Sequence, residues 1–111
     1  MPFIENLFML LFGHALADFV LQPSAMGYGK NRNDKVHDKE HSLFPVWWYW
    51  LTAHALVHGG VVYLITNNLL FGIIETVIHW ITDYAKCEGW IGMHQDQGIH
   101  IGCKFGYAVF L

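Results

Sequence analysis

The sequence predicts an all-α protein, a four-helix transmembrane bundle with a polar His/Asp/Glu core, and three observations predict it. Four apolar segments, approximately residues 3–22, 43–66, 69–86 and 90–111, each have about the 17 to 25 residues that carry a helix across a hydrocarbon core of about 30 Å. Hydrophobic residues make up 54% of the 111-residue chain and aromatic residues 16%, which leaves few residues to cover a soluble globule of this size. The polar residues set into the apolar segments recur four apart. In the stretch GHALADFVLQ, residues 13–22, a helix of about 3.6 residues per turn places His14, Asp18 and Gln22 on one stripe.

The first segment opens as MPFIENLFML, with no basic residue ahead of its apolar run and no small-residue cleavage site after it, so it is expected to be retained rather than removed as a signal peptide. Pro23 ends it and begins the one long connection, PSAMGYGKNRNDKVHDKEHS, residues 23–42, where charge is concentrated. Ser42 is expected to cap the second helix, with Pro45 in its first turn. The links TNN, 66–68, and KCEG, 86–89, are short and make their neighbours antiparallel. The whole chain, 1–111, reads as a single integral membrane domain.

Lys30, Arg32, Lys35 and Lys39 lie in the first connection and Lys86 in the third, on the same side of a four-span chain. The positive-inside tendency then puts both termini outside the cytoplasm, as in a bacterial inner-membrane protein, and sets WWYW, 47–50, and Trp90 near the cytoplasmic interface. A net charge of −3, mixed in sign, sets nucleic acid aside as a partner and leaves the lipid bilayer as the expected one. Cys87 and Cys103 have neither zinc-ribbon spacing nor disulfide density. The alternative is a soluble helical bundle whose aromatic residues fill its core.

Each of the other segments repeats the opening pattern: His54 and His58; Glu75, His79 and Asp83; Asp96, His100 and Lys104, with Gln97 beside them. Ionisable groups are costly in hydrocarbon, about 2.5 to 3.5 kcal/mol each on lenient scales, so the stripes must face one another. Counted at 1.5 Å per residue, most of these groups fall roughly 5 to 16 Å from the cytoplasmic end, with His58 and Lys104 deeper at roughly 21 to 22 Å. Five histidines and four carboxylates converging in a bundle core form the ligand inventory of a divalent metal site, zinc first, with manganese or iron as alternatives. The candidate ligands are His14, Asp18, His54, His58, His79, Asp83, Asp96 and His100. Such groups also pair by hydrogen bonds alone, or line a proton or ion path. Gln22 and Gln97 read as hydrogen-bonding supports. Lys104 reads as a partner of Asp96 or of an anionic substrate group, and His37, His41 and His94 as solvated.

HALADFVLQ followed by Met26 and Lys30, then HALVH, HWITDYAK and DQGIH, together resemble the bacterial and phage family catalogued as domain of unknown function 3307. The resemblance covers nearly the whole chain and sets His14, Asp18, Gln22, His54, His58, His79, Asp83, Asp96, Gln97 and His100 at motif positions. It implies a multi-pass membrane protein and no reaction. The His and Asp pairs also look like those of membrane-bound metal-dependent hydrolases, a looser analogy. Three functions follow as expectations. One is metal-dependent hydrolysis of a lipid or lipid-linked phosphoester, with Glu75 as the catalytic proton acceptor. The second is metal-ion or proton binding and transport. The third is a small membrane protein acting by binding a host protein.

Overall fold

The computed structural model describes residues 2–37 and 45–111, and all of its regular structure is helical. Helix α1, Pro2–Ala15, passes directly into a π turn, Leu16–Val20, closed by the Leu21 amide donating to the Leu16 carbonyl at 2.8 Å. A short helix α2, Ser24–Gly29, and a 3-10 turn, Lys35–His37, follow. The remaining helices are α3, Trp47–Thr66, α4, Leu69–Cys87, and α5, Met93–Phe110. The four long helices close a ring: α3 packs most extensively on α4, α1 lies against α3 and α5, and α4 completes the circuit against α5.

The expected segments are present with trimmed ends. The first helix stops at Val20, and Gln22 turns its side-chain amide back to the Asp18 carbonyl at 3.3 Å. Helix α3 begins at Trp47, so Pro45 precedes the helix instead of lying in its first turn, and the cap expected at Ser42 lies outside the described residues. Both short links have identifiable stops. Asn67, at φ 53°, leaves α3 in the left-handed region, and Asn68 Oδ1 accepts the Phe71 amide at 3.2 Å to start α4. Gly89, at φ 79°, ends α4: its amide donates to the Lys86 carbonyl at 3.0 Å and the Trp90 amide to Ala85 at 2.9 Å, the paired bonds of a Schellman cap.

Small residues set the spacing of the ring. A Cβ on Gly59 would lie 1.8 Å from Thr76 Oγ1 and 2.6 Å from the Gly72 carbonyl, so α3 and α4 approach backbone to backbone one residue after His58. A Cβ on Gly13 would meet Val61 Cγ1 at 2.5 Å, which draws α1 onto α3 beside His14. At the far side of the long connection, Arg32 donates its Nε and, at 3.0 Å, its Nη2 to the Glu88 carboxylate, joining the first and third connections at one end of the bundle. That pairing holds the Glu88 carboxyl below its usual range.

The distribution of polarity is inverted relative to a water-soluble bundle. Among the described residues seven hydrophobic side chains are buried against twelve polar or charged ones, while Leu64 (83% exposed), Phe110 (80%), Phe8, Phe19, Leu70 and Val109 face outward. An apolar cluster of Leu10, Val62, Tyr107 and Ala108 closes the core beyond the polar groups. By length and mean hydropathy only one described helical run, Pro2–Val20 at 1.5, is apolar enough to cross a membrane. All four segments were expected to meet that mark. The imidazoles and carboxylates that α3, α4 and α5 turn inward lower their averages although their outer faces remain apolar.

Candidate metal centre

The stripes meet in the core as the four-residue spacing requires. Asp18, from the π turn, His54 and His58, from successive turns of α3, and His79, from α4, each offer one ligand atom within 4.8 Å of the others, and all four are buried. His54 Nε2 lies 3.3 Å and His58 Nε2 3.4 Å from the same oxygen, Asp18 Oδ1. Neither nitrogen makes a hydrogen bond among the described residues, nor does either nitrogen of His79. With all four ligand atoms within 4.8 Å of one another, the group could hold a metal ion.

The other oxygen of Asp18 is fixed from behind. Gln97 Nε2 donates to Asp18 Oδ2 at 2.7 Å, and His14 Nε2 donates to Gln97 Oε1 at 2.9 Å. His14 thus joins the group through Gln97, with its own Nε2 3.9 Å from Asp18 Oδ2. Gln97 does the supporting work expected of it, since a carboxylate bonded on one oxygen presents the other in a defined direction.

The remaining carboxylates carry cations. Lys30 Nζ lies 2.7 Å from Asp83 Oδ2, and Lys86 Nζ lies 3.3 Å from Asp83 Oδ1 and 3.6 Å from Asp96 Oδ2. His100 Nε2 donates to Asp96 Oδ1 at 3.1 Å. Asp83 still borders the first group, 3.6 Å from His54 Nε2 and 3.9 Å from His79 Nε2. Glu75, wholly buried, pairs with Lys104 through Oε1 and accepts the Tyr107 hydroxyl at Oε2, 2.9 Å. With His79 and His100 it forms a second group whose ligand atoms lie within 4.8 Å of one another. Lys104 therefore pairs with Glu75, not with Asp96 eight residues before it on the same stripe.

His58 belongs to the same level as the rest, against the greater depth expected for it: its ring stacks on His79 with centroids 3.6 Å apart. The depth count began α3 four residues early, about 6 Å at 1.5 Å per residue, and helical side chains lean toward the N-terminus, here the charged end. His37 Nε2 is 2.8 Å from the Gly29 carbonyl, His94 is exposed, and His41 lies outside the described residues. Sequence reasoning missed Lys30, Lys86 and Tyr107 as members of the network. Lys86 and Tyr107 each stand three residues after a stripe member, a signal that was available. Lys30, the C-cap of α2, continues the four-residue step of His14, Asp18 and Gln22, but Pro23 breaks the helix between them, so the step defines no common face; a close contact between Gly29 and the Trp50 ring seats the chain there.

Fold and site together define the class: an all-α bundle with an enclosed His/carboxylate cluster that is able to hold a metal ion. The chain belongs to the family described as "Protein of unknown function (DUF3307)", whose model matches residues 6–102 and so takes in every imidazole and carboxylate of the cluster. No curated protein and no solved structure matches it. Membership names no reaction.

Proposed function

We propose that this protein is a four-span membrane bundle whose core binds a divalent transition metal, zinc first, with Asp18, His54, His58 and His79 as ligands. One observation carries the reading. Asp18 is the core carboxylate that no ammonium group neutralises among the described residues, and it faces imidazole nitrogens that have no hydrogen-bond partner there. A carboxylate that only one amide hydrogen bond satisfies, buried beside several nitrogens without partners, is costly unless a cation binds there. Mixed nitrogen and oxygen donors suit zinc, manganese or iron and disfavour magnesium. The membrane reading is supported by the apolar exterior around a polar interior, an arrangement that lipid stabilises and water does not. The joined first and third connections, with their basic residues, support a cytoplasmic placement of that end and non-cytoplasmic termini.

Holding an ion is favoured over passing one. The polar column ends at Glu75, Lys104 and Tyr107, and the apolar cluster around Leu10 and Val62 lies beyond it. A second reading, hydrolysis of a lipid-linked phosphoester, is favoured by Lys30 and Lys86, which set two ammonium groups on the cluster where an anionic phosphate would be met. A bound metal supplies Lewis acidity in that case, and Glu75 is the carboxylate assigned to accept the proton.

Metal content of the purified, detergent-solubilised protein tests the proposal. One ion per chain is expected, lost in Asp18→Asn and His79→Ala and retained in His37→Ala. If the wild-type protein carries no metal above Asp18→Asn, and a chelator leaves its thermal stability unchanged, the cluster is a hydrogen-bonded core and both metal readings fail.

A further inference from the structure

We propose that the ammonium of Lys104 stands where a second metal ion would bind, so that the centre takes one ion per chain and loss of that ammonium opens a second site at Glu75, His79 and His100. The inference rests on the metal reading above and deepens it. The second group offers the same kinds of donor as the first, two imidazoles and a carboxylate against three imidazoles and a carboxylate, again with ligand atoms within 4.8 Å and all three side chains buried; His79 belongs to both groups and would serve both ions through its two ring nitrogens after giving up its ring proton. What distinguishes it is the ion pair of Lys104 with Glu75 Oε1, backed by the Tyr107 hydroxyl on Oε2. A lysine ammonium is a compact point cation, and here it holds the carboxylate oxygen that a metal would need. Lys104 is 1% exposed, so an arriving ion would have to displace a charge that has no water within reach and leave it buried without a partner.

Charge balance points the same way. Among the described residues the core holds four carboxylates, Asp18, Glu75, Asp83 and Asp96, and three ammonium groups, Lys30, Lys86 and Lys104, which pair with all of them except Asp18. That leaves one negative charge, located at the first group. A single divalent ion turns it into one positive charge; a second would raise it to three in a medium that penalises unbalanced charge steeply. Lys104→Met uncovers the Glu75 oxygen and lowers the accumulated charge by one.

The test is the number of zinc ions bound per chain at saturation, measured by equilibrium titration and elemental analysis of the detergent-solubilised full chain. The expected counts are one for wild type, one for Lys104→Arg, two for Lys104→Met, and one again for Glu75→Gln combined with Lys104→Met. Two ions in wild type, or one in folded Lys104→Met, overturns the inference while leaving the metal reading intact. No ion in wild type overturns both. Should Lys104→Met fail to fold, Lys104→Ala carries the same comparison, because it likewise removes the charge and uncovers the Glu75 oxygen.

Discussion

The imidazoles of His58 and His79 stack face to face, with centroids 3.6 Å apart and planes 18° apart, and His79 stacks in turn on His100 at 4.2 Å. Three helices thus contribute one column of rings. Two protonated rings in such contact repel strongly away from water, and a protonated nitrogen has no lone pair for a metal. Metal affinity is therefore expected to fall as pH drops through the range where imidazoles take up protons, near about 6.5 for an unperturbed ring. The metal-derived stability is present above that range and lost below it. Competition against a chromophoric chelator on both sides of it measures the effect, and an affinity indifferent to pH would count against histidine ligation.

Lys30, just past the end of α2, reaches a buried carboxylate of α4, Asp83. Lys30→Met is expected to destabilise the fold by about 3 to 5 kcal/mol, because it takes from Asp83 its nearest cation and leaves only Lys86 beside that buried charge. Combining it with Asp83→Asn should recover most of the loss. Thermal melts of the three variants in one detergent decide the matter; a single variant that melts with wild type would show the pair to be idle.

Gly59 and Gly60 are neighbours with opposite prospects. At Gly59 any side chain meets Thr76 and the α4 backbone, so Gly59→Val is expected to separate α3 from α4, cost about 1 to 3 kcal/mol or more, and weaken metal retention through His58. At Gly60 an added Cβ meets nothing within 4 Å, and Gly60→Ala is expected to stabilise α3 by up to about 1 kcal/mol. Melting temperature and metal content, read on both variants, should part in this way.

The chain is expected to stay with the membrane fraction through alkaline extraction, and a reporter fused after Leu111 should be active only on the non-cytoplasmic side. A fusion active in the cytoplasm reverses the orientation and leaves the centre untouched. Release of the protein by alkali would instead favour the water-soluble bundle.

The helices and their inward faces were legible because four-residue spacing and apolar flanks are local facts of the sequence. His14, Asp18, His54, His58, His79, Asp83, Asp96 and His100 all fall in one connected network for that reason. Which of them meet the same atom was not legible. The π turn that carries Asp18, the Gln97 amide between His14 and Asp18, and the reach of Lys30 from the end of α2 are set by packing between elements, which periodicity does not encode. Lys104 illustrates the limit: its stripe pointed to Asp96, on its own helix, while the facing helix offered Glu75. Hydropathy likewise averages over a helix and loses the distinction between a polar inner face and an apolar outer one.

The enclosure of the cluster has a consequence in time. His54 and Glu75 have no exposed surface, and Lys30 and the Arg32–Glu88 pair fasten the first connection across the charged end. An ion cannot leave such a centre without a local opening, and the frequency of that opening is a property of the protein alone. Stripping by excess chelator should then proceed at a rate that stops rising with chelator concentration. Loosening the fastening with Arg32→Ala should quicken it, so that residence time is governed by a contact far in sequence from most of the ligands.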